Sequence, residues 1–458
     1  MAQAGRSAFS RAVKVVGVTG AMVALSVFGV MRSTGGSGTG GGLRARLVAA
    51  GHPARTLRLY YTPPVLVRSG EQVVIPTDTV CATEEGDPCL ADVEIWARAG
   101  DEAWHSARAA DRSNPRFDLT QVASLAGSSR AVSFALRATD GAGSFAAIGA
   151  PRGDAALRFY VTDSMSSATM PPIPFGEVRR GEPVLSLAWG TGPHKAGLEL
   201  GNESDTLGPM SFDVDAEGRI LLLDSLQQRL AVFDHGTLSA EVALDGLPFD
   251  VAAGDDGSAF VLSRSEGSLQ VRRVSGSGSV SAPALLGEGV PGELRVAGGR
   301  AYANLLPTDA WTEVPAPGEE LGISPGVDPG LPLPGGRELL RVARSDSVRL
   351  GTVLGGQVTD AVELRSTANI GDVALAEPDG SGGYWVVVHV WQQEPTADQY
   401  QVVDVRGGRV FTTFAVSAQQ FATAPPLNRF RLVGGSLYQM TSSPEGLQIV
   451  RYGLGGAS

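Results

Sequence analysis

The chain has 458 residues, enough for two or three ordinary domains, and 43% of them are hydrophobic, which excludes disorder along its whole length. Gly at 60 and Pro at 28, against 19% charged residues, suit a turn-rich all-β protein better than a helical one. The net charge of −11 is spread along the chain without a basic stripe, which argues against nucleic acid as a partner, and Lys14 and Lys195 are the only lysines, leaving almost nothing for Schiff-base chemistry.

In chain order, Arg6, Arg11 and Lys14 precede a charge-free apolar run of 17 residues, Val15 to Met31. This is the pattern of an export signal, and at about 1.5 Å per residue the run just spans a hydrocarbon core. Residues 1–31 therefore read as a signal peptide or a signal anchor, both open because Gly29-Val30-Met31 meets Arg32 without a clean cleavage site. Residues 32–54 begin RSTGGSGTGGG and read as a Gly/Ser-rich tether. The remainder is expected outside the cytoplasm, secreted or anchored by residues 15–31, with the membrane a partner only if that segment stays uncleaved. Cys81 and Cys89 bracket ATEEGDP, and in an exported chain they are expected to pair. A disulfide closing so short a loop is worth about 2–3 kcal/mol, whereas a metal would need further Cys or His nearby.

Residues 55–163 contain LRLYY, PVLVRS, QVVIPTD, DVEIWARA, AWHSARA, AVSFALRATD, SFAAIGA and LRFYVTD, separated by turns. Short strands at this spacing predict a β-sandwich, and Ala131–Ser144, where an alternating strand meets an Asp-Gly turn, is similar to the late hairpin of immunoglobulin-like and fibronectin-like domains. Trp96 is expected in its core. Residues 164–181, with Pro171, Pro172 and Pro174, break the strand pattern and read as a linker.

From 182 to 458 the strands resume. The clearest unit, Gly208 to Leu244, spells SFDVD, RILLLD, RLAVFD and SAEVAL around the turns AEG, SLQQ and HGTL. Such a meander has two apolar faces and cannot bury both alone; radial repetition buries them. Gly208, Pro209, Asp215, Gly218, Asp224, Arg229, Val232, Phe233 and Asp234 occupy the places that define the NHL-repeat family, which this unit resembles. The resemblance implies a β-propeller of four-stranded blades, usually six, in a family that includes lyases using a His near the central channel. Pro209 and Pro248 stand 39 apart, and later blades begin at Gly292, at GDVALAEP and at NRFRLVGGS. Five blades are recognisable, and Gln357 to Ile370 leaves room for part of a sixth. The last blade lacks its fourth strand, which PVLSLAWG, Pro183 to Gly190, is expected to supply. Pro307 to Arg337 reads as a long insertion interrupting blade three.

The five histidines are scattered, without a His-x-His pair or a helix-borne HExxH, and only His194, in WGTGPHKAG, sits on a loop suited to overlie the ring. The acid-Gly segments DAEG, GDDG and EPDG read as hairpin turns rather than calcium loops. No nucleophile elbow or phosphate loop appears. No catalytic residue, metal site or cofactor is therefore assigned, and the expected contact surface is Trp189, His194 and Trp311. The reading that follows is an exported, envelope-displayed, non-catalytic binding or scaffold protein whose propeller loops hold a protein or glycan. The alternative is an exported lyase or hydrolase, marked by ionisable side chains converging on the propeller channel.

Overall fold

The computed structural model describes residues 56–455 except 63, 72, 83–90, 110–115, 119–129, 141–142, 151–155, 202–204, 288, 307–309, 322–327 and 423–426. The expected signal or anchor, the tether and Cys89 of the expected disulfide lie outside the described residues. Within them every regular element is a strand, and no helix is long and apolar enough to cross a membrane.

Two N-terminal sheets face one apolar core. Val74–Ala82 lies between Thr56–Tyr61 and Arg116–Asp118 in the first, while Leu66–Arg68, Leu157–Thr162, Arg130–Asp140, Ala91–Ala99 and His105–Arg108 follow in that order in the second, with Phe145–Ile148 paired to Arg130–Asp140. Leu57, Leu59 and Ile75 meet Val93, Ile95, Phe134 and Phe159 between them. Because side chains alternate along a strand, inward Val93, Ile95 and Ala97 oblige Trp96 to face the other way. The expectation of a core Trp96 is corrected: it is half-buried on the face opposite the core.

Beyond these sheets, six further sheets form a ring. Blade one is Ser211–Val214, Ile220–Asp224, Arg229–Asp234 and Thr237–Ala243; blade two is Leu247–Ala253, Ala259–Ser265, Ser268–Val274 and Ala284–Gly287. Blade three holds Val290–Ala297, Arg300–Leu306 and Ala310–Glu313, and blade four Leu331–Leu333, Arg337–Ala343, Ser347–Leu354 and Gln357–Arg365. Blade five is Asn369–Pro378, Gly383–Gln392, Ala397–Arg406 and Arg409–Ser417; blade six is Phe430–Val433, Ser436–Ser443 and Gly446–Gly453. Neighbouring blades touch in succession, blade four meeting blade three through Leu331–Leu333 and blade five through Arg337–Ala343, and the first strands of blades one and six touch each other, so the ring closes. Closure uses Glu182–Trp189 as the fourth strand of blade six, paired antiparallel to Gly446–Gly453 as the sequence predicts. Gly446 permits this approach, since a Cβ there would overlap the Leu187 carbonyl oxygen.

Apolar cores lie between successive blades, which is why strands covered on both faces carry nearly continuous apolar runs. In Ile220–Asp224 all five residues are buried: Ile220 and Leu222 pack with blade six, while Leu221 and Leu223 pack with Val251 and Val261 of blade two. Burying each such leucine contributes roughly 1.5–3 kcal/mol.

The blade count departs from the sequence reading in one region. The supposed insertion supplies Ala310–Glu313 to blade three and Leu331–Leu333 to blade four, so ELLRVA and SVRLGTVL belong to blade four rather than to an interrupted blade three. Gln357–Arg365 completes that blade. Within the stretch read as a linker, Ser166–Thr169 adds to the same sheet, parallel to Val362–Arg365.

The N-terminal sheets dock on blade four. Val65, Leu66 and Tyr160 pack against Leu340, Val353, Val358 and Ala361. Glu71 accepts from Arg344 at 2.8 Å and Arg349 at 2.5 Å, and Arg349 also donates to Glu363 at 2.9 Å. Burial alone would raise the Glu71 pKa, but Arg349 and Arg344 outweigh it and hold it at about 2. Nearby, Arg158 and the Tyr160 hydroxyl both donate to Asp328, each at 2.9 Å. Glu338 lies beside them with Oε2 buried and unpartnered among the described residues. Burial and the Asp328 charge push its pKa up to about 7, against the pull of Arg158 and Tyr160.

A carboxyl raised in the folded state keeps a proton that the unfolded chain has already released. The Glu338 contribution is therefore complete below its ordinary value of 4.5 and is lost as pH rises through about 7. Thermal unfolding of the full chain is expected to shift down between about pH 6 and about pH 8. Glu338→Gln, which keeps a hydrogen-bond donor without a titration, flattens that shift; an identical pH slope in the variant contradicts this account.

Candidate functional site

Each blade carries a charged residue at one recurring place near the axis, preceded by an apolar residue or glycine and followed by an apolar one. These are Phe212-Asp213-Val214, Phe249-Asp250-Val251, Gly292-Glu293-Leu294, Leu340-Arg341-Val342, Gly371-Asp372-Val373 and Phe430-Arg431-Leu432. The two arginines sit among the acids so that each faces opposite charge. Arg431 donates to Asp213 at 3.0 Å and lies 3.6 Å from Asp250, and Arg341 donates to Glu293 at 2.5 Å.

Asp250 has no solvent exposure. Its carboxylate accepts from the Ser211 hydroxyl of blade one at 2.5 Å, the Val251 amide at 2.9 Å, the Leu294 amide of blade three at 2.6 Å and the Asn428 carboxamide, two residues before blade six, at 2.6 Å. Asp213 repeats the device by accepting from the Ala253 amide of blade two at 2.8 Å. Arg295 of blade three reaches past blade four to grip Glu377 of blade five at 2.5 and 2.7 Å, and donates to the Pro332 carbonyl of blade four on the way. Bonds that skip a blade place these side chains at the axis. Most of the charge there is consumed in charge-assisted pairs.

The corner at Asp372 is less satisfied. Its Oδ1 is buried without a hydrogen-bond partner among the described residues, and burial raises its pKa against the opposing charges of His389, Arg429 and Arg341. His389 Nε2 is 3.1 Å from Asp398, its ring centroid 5.1 Å from that of Tyr400, and Arg429 donates to the Tyr400 hydroxyl at 2.8 Å. A Cβ on Gly371 would overlap His389 Nδ1, so this approach requires glycine. Among the histidines the sequence singles out only His194, not His389. Its neighbours come from other strands, and the available signal was the charged residue recurring inside apolar inner strands, most visibly Phe-Asp-Val twice.

The three expected contact residues do not form one surface. His194 is exposed in the turn after the closing strand. Trp189, at the end of that strand, is half-buried, donates its indole N–H to the Ser443 carbonyl at 2.8 Å and lies against Phe421 at 6.5 Å. Trp311 is 8% exposed and packs with Leu331, Leu339 and Tyr384 in the core around blade four. Its placement on an emergent loop is corrected, because Ala310–Glu313 is a paired strand whose Trp311 amide also donates to the Asp328 carbonyl at 3.0 Å. The NHL-like residues are likewise structural: Asp224 accepts from the Gly197 amide at 3.0 Å, and Arg229 donates to Glu241 at 2.6 Å. Asp215 closes its turn on the Arg219 amide at 2.8 Å, with Gly218 at φ +82°.

A recess of about 230 Å³ opens between residues 170–175, which form a strap, and the edge of blade five. Met170, Ile173 and Phe175 form one wall; Thr367, Asn369, Trp391, Gln392 and Gln401 are on the other. The strap is pinned by the Met170 amide on the Arg365 carbonyl at 2.8 Å and by Gln399, which accepts from the Gly176 amide at 3.3 Å and donates to the Ile173 carbonyl at 3.2 Å.

These features define a β-propeller with a charge-locked hub and a neutral lateral cleft. No protein-family profile matches the chain, and no curated protein matches it in sequence. Among solved structures, it is similar to hydrazine synthase of Kuenenia stuttgartiensis, at 14% identity over 56% of this chain and 90% of that one, with a TM-score of 0.34. Virginiamycin B lyase from Staphylococcus aureus aligns at 9% identity over 70% of this chain and 90% of that one, TM-score 0.31. BamB from Moraxella catarrhalis aligns at 10% over 56% and 99%, TM-score 0.30. Likenesses at this level say nothing about activity, and the propeller assignment rests on the strand order itself.

Asp250→Ala would strand Arg431, Asn428, Ser211 and the Leu294 amide together. It is expected to cost about 3–5 kcal/mol of unfolding free energy, while Asp255→Ala, in an exposed turn, stays within about 0.5 kcal/mol. Denaturant unfolding measures both; equal effects would refute the hub's role.

Proposed function

We propose that this chain is an exported, non-catalytic binding or scaffold protein that holds a protein or glycan of the cell envelope. The observation that carries the reading is the pairing of the hub charges with one another: Asp213, Asp250, Glu293, Arg295, Arg341, Glu377 and Arg431 are engaged in holding the blades together rather than presented to a substrate. In this reading residues 1–31 export or anchor the chain, residues 32–54 tether it, and the N-terminal sheets are an immunoglobulin- or fibronectin-like adaptor carrying a Cys81–Cys89 disulfide. The propeller is NHL-like, and His194 with the rim beside Trp189 contributes contacts.

Affinity isolation of the full chain from envelope extract tests this. A specific partner is expected with the wild type, with recovery reduced several-fold in His194→Ala at an unchanged melting temperature. Failure of the wild type to retain any partner defeats the reading.

A second reading, an exported lyase or hydrolase at the channel, is favoured by one observation, the unpartnered Asp372 oxygen near His389. It predicts a turnover abolished by Asp372→Asn in a folded protein.

A further inference from the structure

The cleft beneath the strap combines features that no part of the hub offers. None of its lining residues is ionisable, in a protein of net charge −11. Gln401 is only 4% exposed, and it lines the recess. Gln401 brings two donors and one acceptor; Asn369 and Gln392 bring the same set, and Thr367 adds a hydroxyl. Trp391, half-buried on the same wall, offers a flat apolar face and an indole N–H free of any partner among the described residues.

Neutral groups that both donate and accept, set beside an aromatic face, match a molecule with many hydroxyls and an apolar C–H face. A charged ligand would find no counter-charge here and would lose its hydration uncompensated. The volume lies somewhat below the roughly 300–1,000 Å³ of sites for drug-sized ligands, which suits a single ring. The strap is already fixed by its bonds to Arg365 and Gln399, so closing the site costs little ordering entropy.

We propose that the strap cleft binds a neutral saccharide, one ring of which stacks on Trp391 while Gln401 hydrogen-bonds its hydroxyls. This deepens the binding reading above and rests on it.

The test titrates the full chain, in a zwitterionic sugar-free detergent, with glucose, galactose, mannose and N-acetylglucosamine, and separately with a proline-rich peptide. Binding is read by calorimetry and tryptophan emission. At least one sugar is expected to saturate, with Gln401→Leu weakening it about tenfold or more and Trp391→Phe removing the emission change. Gln392→Ala, at the rim, serves as the second variant should Gln401→Leu lower the melting temperature, and is expected to weaken the same sugar. Absence of saturation by every sugar well above about 1 mM overturns the proposal, as does sugar binding unchanged in both glutamine variants, or saturation by the peptide alone. If the sugars fail while an envelope partner is still retained, the saccharide assignment falls and the binding reading stands. If no envelope partner is retained and no sugar saturates, both fall.

Discussion

A carboxylate without solvent is stable only when donors replace the water it has lost, and Asp250 meets that condition by collecting donors from blades one and three and from the segment leading into blade six. No two neighbouring blades could satisfy it alone. The charge is tolerable only when the ring is assembled, so the polar hub and the closed propeller depend on each other. The same constraint explains why Arg431, itself largely buried, points at Asp213 and Asp250 rather than at solvent.

The apolar cores between blades supply most of the favourable burial, but they discriminate poorly, because one leucine-rich blade face packs acceptably on another. Buried ion pairs add little net stability over well-packed apolar residues. What they add is registry: Arg341 suits an acid on blade three, and the Arg295–Glu377 bond has the length to connect blades three and five only across the axis. A hub arranged in this way is stiff, with most of its charge paired. In the proposed binding reading, recognition falls to surfaces away from it, where the strap lies over blade five and the rim lies beside the closing strand.

The N-terminal sheets are joined to this body by a contact of a different kind. Leu66 and Tyr160 bury apolar surface on blade four, while Glu71 and Glu338 place oppositely shifted carboxyls in the same junction. Glu71 is charged because two arginines reach it. Glu338 has Asp328 for a neighbour and keeps its proton. The junction is thereby most favourable at mildly acidic pH.

Local periodicity in the sequence determined the all-β class, most strands, the tight turns at Gly218 and Gly257, and the closing role of Glu182–Trp189, because these depend on alternation and on glycine's access to positive φ. It misjudged the region from 307 to 337, where proline-rich composition masked two short strands whose pairing partners lie elsewhere. It also left Trp311 on a loop and Trp96 in a core, since exposure depends on which face the fold turns inward. The hub and the cleft were decided by tertiary structure alone. Asp250, Asn428 and Arg431 become neighbours only after the ring brings residues 178 or more positions apart into hydrogen-bond range, and Gln401 comes to line a recess only once the strap crosses blade five.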